Sequence, residues 1–161
     1  MKMLFALLLI CAAAFLLFTS STLPELVASN FGVGGKANGF TAKDSYMALF
    51  LTYTIILPLF TASITLLLRY IPNQFISIPN SDYWLAPERK TAALKMLTPL
   101  NLQFAAVVCV FMCFIHWLIV QANAVQPQRL HESWLIAALL IFFGYINLWL
   151  ISIWRRFRLP T

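Results

Sequence analysis

Four stretches of this chain are each long enough and apolar enough to cross a lipid bilayer, and polar connectors separate them. They fall at about 3–20, 46–68, 99–121 and 134–154, close to the roughly 20 residues that a helix needs to traverse a hydrocarbon core. Backbone groups inside lipid must be satisfied within their own segment or in a closed barrel. Runs this long, without strand-like alternation, therefore read as helices. Composition closes off most alternatives. Hydrophobic residues make up 61% and charged residues 10%, where a soluble domain has about 45–50% and about 25%. A soluble globular enzyme and a disordered chain are excluded, and a nucleic-acid-binding domain is disfavoured despite the net charge of +6. The expected fold class is all-α: a polytopic membrane protein forming one domain over 1–161. The expectation is a four-transmembrane-helix bundle, with a short ordered extracytoplasmic loop at 21–45 and a cytoplasmic loop at 69–98.

The first apolar run has the look of a signal peptide, with Lys2 ahead of it and small residues after it. Leu8-Leu9-Ile10-Cys11 faintly resembles a lipoprotein cleavage box, but Ile10 stands where a small residue is needed. An uncleaved anchor helix is the expectation. Orientation follows the basic residues. Lys2, Arg69, Arg89, Lys90, Lys95, Arg155, Arg156 and Arg158 fall on one side of a four-span chain, and Lys36, Lys43 and Arg129 on the other. That asymmetry predicts both termini in the cytoplasm and attraction of the basic side to anionic lipid. Tyr46, Trp117 and Trp134 mark the outer interface, and Tyr70, Trp84, Trp149 and Trp154 the inner one.

The connectors carry the most local information. Thr22 and Glu25 have capping-box spacing, which predicts a short helix starting near Leu23. The glycine-rich run from Asn30 to Gly35 should break it, and Asn38-Gly39 is a tight-turn signal, so a small hairpin or irregular turn is expected before the second span. In the second connector Pro87 suits a first helical turn followed by Glu88 through Leu97. That predicts an interfacial helix separate from the third span.

Some residues inside the spans invite a chemical reading. Cys109, Cys113 and His116 share one face at i, i+4 and i+7, and sulfur with imidazole suits soft or borderline metals. A closed zinc site usually needs four ligands, and no second Cys/His cluster exists in the sequence, so a packed seam is the preferred reading. No cofactor is expected. His116 calls for a polar partner, for which Tyr53, Thr54 or an outer-loop group is expected. Thr54, Pro58, Thr61 and Thr65 form one stripe with a kink expected at Pro58. Asn147, one turn from Gly144, is expected to bond between helices near Cys109. None of the five carboxylates lies within a span, and no phosphate-cradling loop or serine–histidine–acid set is present. No enzymatic activity is therefore expected.

One stretch resembles a known family. The outer loop reads Leu23-Pro24-Glu25-Leu26-Val27-Ala28-Ser29-Asn30-Phe31, then Gly35, Asn38-Gly39-Phe40 and Lys43. It is similar to the signature of a bacterial membrane family of largely unknown function that includes the SdpI-type immunity proteins. That signature has Leu-Pro, then His-Phe, a Gly four residues on, Gly-Trp or Gly-Phe, and a Lys. The segment from Ile78-Pro79-Asn80 through Tyr83-Trp84 to Arg89 resembles a further motif of short members. Asn30 stands where the family usually has His; an amide keeps hydrogen bonding but not imidazole chemistry. The resemblance implies a small protein of the bacterial inner membrane and, in the immunity branch, protection against a membrane-active toxin. It makes Pro24, Glu25, Asn30, Phe31, Gly35, Asn38, Gly39, Lys43, Tyr83 and Trp84 the candidate partner-binding residues. The expected partners are membrane lipid and a membrane protein or peptide, with no nucleic acid. Two alternatives stand beside this expectation: an accessory subunit of a larger membrane complex, and a small metal- or cofactor-binding membrane protein.

Overall fold

The computed structural model describes residues 1–159. The chain is mostly helical, and four of its helices are long and apolar enough to cross a membrane. These are α1 (Lys2–Ser20), α2 (Lys43–Leu67), α4 (Pro87–Asn123) and α5 (Glu132–Arg156). A short α3 (Ser81–Trp84) lies in the second connector. Between α1 and α2 stands a two-stranded antiparallel hairpin, β1 (Leu26–Phe31) and β2 (Ala37–Ala42).

Helix α4 is the axis of the fold and contacts α1, α2 and α5. Its buried residues recur along its length, from Ala93 to Ala122. Three apolar clusters are stacked along it. The first, at the hairpin end, joins Leu16, Val27, Tyr46, Phe50, Leu118, Ile119 and Leu130. The middle one packs Phe5, Leu9 and Ala12 of α1 on Ala105 and Cys109. At the far end Ala93, Leu94 and Leu97 surround Phe157.

Several expectations are corrected. The segment expected as a helix from Leu23 is strand β1. Thr22 does not cap; its hydroxyl donates to the Thr19 carbonyl at 2.8 Å. Cross-strand pairing of Val27 with Thr41 and of Ala28 with Phe40 overrides the capping signal. Asn38-Gly39 is not the turn. Both residues lie within β2, with Gly39 opposite Asn30 at an irregularity of the ladder. The chain reverses at Gly32–Lys36 instead, where Gly34 and Gly35 take φ of 80° and 71°, a region that glycine adopts without steric penalty. The interfacial helix expected over 88–97 is continuous with the third span, making one helix of 37 residues with Pro99 inside it. Packing of Ala93, Leu94 and Leu97 around Phe157 holds the turns ahead of the proline.

The kink signal in α2 resolves as a widened turn over Thr52–Ile56. The Leu57 N–H bonds to the Thr52 carbonyl five residues back, and Pro58, which has no N–H, follows directly. Asn147 does not bridge helices. It is exposed and donates to the Phe143 carbonyl of its own helix at 2.8 Å. Gly144 faces open space. Helix α5 has no fully buried residue, so the face carrying Asn147 points away from the other helices.

Candidate functional site

The sequence-predicted partner residues separate into two groups. Pro24, Glu25, Asn30, Phe31, Gly35, Asn38, Gly39 and Lys43 lie together in and around the hairpin. Tyr83 and Trp84 lie at the far end with Phe157.

The hairpin is tied to the helices by groups the sequence did not single out. Asn123, in the last turn of α4, accepts the Ala28 N–H at 2.8 Å through Oδ1. Its Nδ2 donates to the Ala28 carbonyl at 3.0 Å. One amide thus completes both backbone valences of a fully buried strand residue, as a neighbouring strand would. The connector before α5 adds a second seam. Leu130 N–H donates to the Gly35 carbonyl at 2.8 Å, and Ala37 N–H to the Gln128 carbonyl at 3.3 Å. Glu132 Oε1 accepts the Gly35 N–H at 2.9 Å, and Arg129 Nε donates to the Gly34 carbonyl at 3.0 Å.

These contacts give the candidate residues of the hairpin physical roles. Gly35 has left-handed φ, and a Cβ there would run into the Leu130 carbonyl oxygen. A Cβ on Gly39 would meet Asn30 Nδ2 at 2.9 Å, so the Asn30 side chain and Gly39 are matched in size across the ladder. Lys43 Nζ donates to the Leu23 carbonyl at 3.2 Å, and its N–H to the Glu25 carbonyl at 3.0 Å, anchoring both hairpin ends at the start of α2. Phe31 is half-buried against the upper cluster. Pro24, Glu25, Asn30 and Asn38 are exposed. Leu26, Val33 and Phe40 of the hairpin are also 58%, 101% and 48% exposed. A tightly tied hairpin therefore presents bare apolar side chains.

Beneath it lies His116, fully buried. Its partners are Tyr46 and Thr19, in place of the expected Tyr53, Thr54 or outer-loop group. Tyr46 Oη is 2.8 Å from Nδ1, and Thr19 Oγ1 is 2.8 Å from Nε2. Thr19 has one proton, which its 2.7 Å contact with the Phe15 carbonyl engages. One neutral tautomer then satisfies every group: Tyr46 O–H donates to Nδ1, and Nε2–H donates to Thr19. Phe15 packs edge-on to the ring and Phe50 at a tilt. Tyr53 is instead exposed, and Thr54 Oγ1 is buried with no partner among the described residues. Tyr46, in the first turn of α2, and Thr19, in the last turn of α1, meet the ring from two neighbouring helices.

This arrangement bears on the metal alternative. Both nitrogens of His116 are engaged in hydrogen bonds. Cys109 is buried and packed in the middle cluster, and Cys113 is half-buried. Among the described residues, no three His, Cys, Asp or Glu side chains are grouped so as to hold a metal ion.

At the far end the Phe157 ring is buried, and its carbonyl accepts from Asn80 Nδ2 at 2.7 Å and Trp84 Nε1 at 3.0 Å. Asn80 has left-handed backbone at φ 54°, a conformation asparagine tolerates. Arg89 lies over the Tyr83 ring at 4.1 Å. Trp84 is thus a structural latch with its indole N–H already engaged, while Tyr83 stays at the surface of this end. The two ends differ in charge. Lys36, Lys43 and Arg129 accompany three carboxylates at the hairpin end, whereas eight basic residues accompany only Asp82 and Glu88 at the far end.

In comparisons with family models, with curated proteins and with solved structures, no match to this chain was found.

Proposed function

We propose that this chain is a non-enzymatic binding protein of the bacterial inner membrane. It crosses the bilayer four times with both termini cytoplasmic, and it offers its hairpin to the exterior as the contact surface for a peptide, a lipid or another membrane protein. The resemblance to SdpI-type immunity proteins makes a membrane-active peptide the first partner to test. The observation that carries this reading is the pairing of rigidity with exposure. The hairpin is held by Asn123, Glu132 and Lys43, yet Leu26, Val33 and Phe40 have no cover. Preordered apolar side chains lose little conformational entropy when a partner covers them. The basic far end supports the orientation.

The test is sensitivity of a deletion strain to a panel of membrane-active peptides, with complementation by wild type and by Phe40→Asp. Increased killing by one peptide, rescued by wild type and not by an equally expressed Phe40→Asp, is the expected result. Unchanged sensitivity across the panel rejects the immunity version.

The bare face of α5 favours a second reading, an accessory subunit of a larger membrane complex. Leu140, Ile141, Phe143 and Leu148 are exposed there beside the Asn147 amide. Extraction in mild detergent followed by sizing distinguishes the two: a monomer with no co-purifying chain counts against the complex.

A further inference from the structure

At the far end, a groove of about 410 Å³ opens between α2, α4 and α5. Thr61, Phe104 and Trp149 form its walls, and Phe75 and Ile78 of the second connector its lower rim. Asn101 also lines it. That residue is only 8% exposed; its amide takes no part in the side-chain hydrogen bonds among the described residues, and it is not sealed off as Thr54 Oγ1 is, so it opens onto the groove. Its neighbours are already satisfied. Trp149 Nε1 donates to the Leu100 carbonyl at 3.0 Å, Thr61 to the Leu57 carbonyl at 2.9 Å, and Thr98 to the Leu94 carbonyl at 2.9 Å. An amide that opens onto an otherwise apolar groove is placed to hydrogen-bond a ligand seated there.

The depth of Asn101 narrows the ligand. It lies twenty residues from Gln121, about 30 Å along the helix, and that matches the thickness of the hydrocarbon core. With Gln121 at one edge of the apolar layer, Asn101 falls at the other, where the acyl chains of a phospholipid meet its ester carbonyls. Beyond that level the chain is strongly basic, with Arg69, Lys95, Arg155 and Arg156 within one turn of the lining residues Leu68, Leu97 and Ile153. We propose that this groove seats one acyl chain of an anionic phospholipid from the adjoining leaflet, with the Asn101 amide hydrogen-bonded to its ester carbonyl. The apolar walls take the chain, Asn101 fixes its depth, and the basic rim selects the anionic headgroup. This site lies at the opposite end from the hairpin and does not depend on what the hairpin binds.

The test uses the full chain, extracted in mild detergent and examined by native mass spectrometry with lipid extraction. Delipidated protein is then offered phosphatidylglycerol or phosphatidylethanolamine. One phosphatidylglycerol retained per chain is expected. Asn101→Leu should lower its retention about five-fold, the worth of one hydrogen bond, and Thr61→Trp, which fills the groove, should abolish it. Should Asn101→Leu fail to accumulate, Thr61→Trp decides alone. Equal retention by wild type and variant overturns the proposal, as does equal retention of the two lipids or the absence of retained lipid from wild type.

Discussion

The two ends of this molecule close in different ways. At the hairpin end the seal is polar and spread over three segments. Asn123 completes Ala28, Glu132 and Leu130 complete Gly35, and Lys43 completes Leu23. At the far end the Phe157 ring fills the socket made by Ala93, Leu94 and Leu97 and its carbonyl receives two donors, while Asn73 and Lys90 tie the connector through the Leu85 and Ile71 carbonyls. Directed bonds to strand backbone fix the shape of a hairpin, whereas a buried ring with ties to a connector fixes the position of a chain end. The hairpin end thus presents a defined face, and the far end holds the last turn of α5 in place.

That contrast can be broken first at the buried ring. Phe157→Ala should lower unfolding stability in detergent by about 3–5 kcal/mol, as for large aromatic truncations in packed cores. Hydrogen exchange should rise around 87–97 and remain protected in the hairpin; loss of protection at both ends at once would deny their independence. At the hairpin end, Gly35→Ala should follow at about 2–3 kcal/mol, because left-handed backbone and a collision with the Leu130 carbonyl combine. Its signature is faster proteolysis within 26–42. Asn123→Ala leaves both backbone groups of Ala28 unpaired and should cost about 1–3 kcal/mol, read by the same thermal unfolding. The smallest effect sharpens the contrast with the uncovered side of the molecule. Asn147→Leu should change stability by less than about 0.5 kcal/mol, since its amide reaches only its own helix; a larger loss would mean that α5 has a partner.

How much of this was legible in the sequence follows from what kind of information each feature needs. The four long helices are visible because hydropathy is local and cumulative over about 20 residues, and their ends moved by only a few residues at α1, α2 and α5. Rotation about a helix axis is not local. Asn147 and Gly144 have the composition of a packing seam, yet they face outward because α5 meets the others along a different line. The cysteines share a face with His116, yet the imidazole is consumed by Tyr46 and Thr19 from two other helices. The first strand was misread as a helix because the Thr22–Glu25 cap is a local signal, and the amide of Asn123, ninety-five residues away from Ala28, outweighs it. Asn123 itself resembles an ordinary polar exit from a span, so nothing in the sequence marks it. Gly35 and Gly39 stand where a side chain would collide with Leu130 or Asn30.

The proposed function requires the hairpin to face the exterior and the basic end the cytoplasm. Single cysteines at Val33, fully exposed at the hairpin turn, and at Ser81, in the opposite connector, test it directly in a chain lacking its three native cysteines. In intact spheroplasts a membrane-impermeant maleimide should label Val33→Cys at once, and Ser81→Cys only after permeabilisation. Labelling of Ser81→Cys from outside, with Val33→Cys protected, would contradict the account.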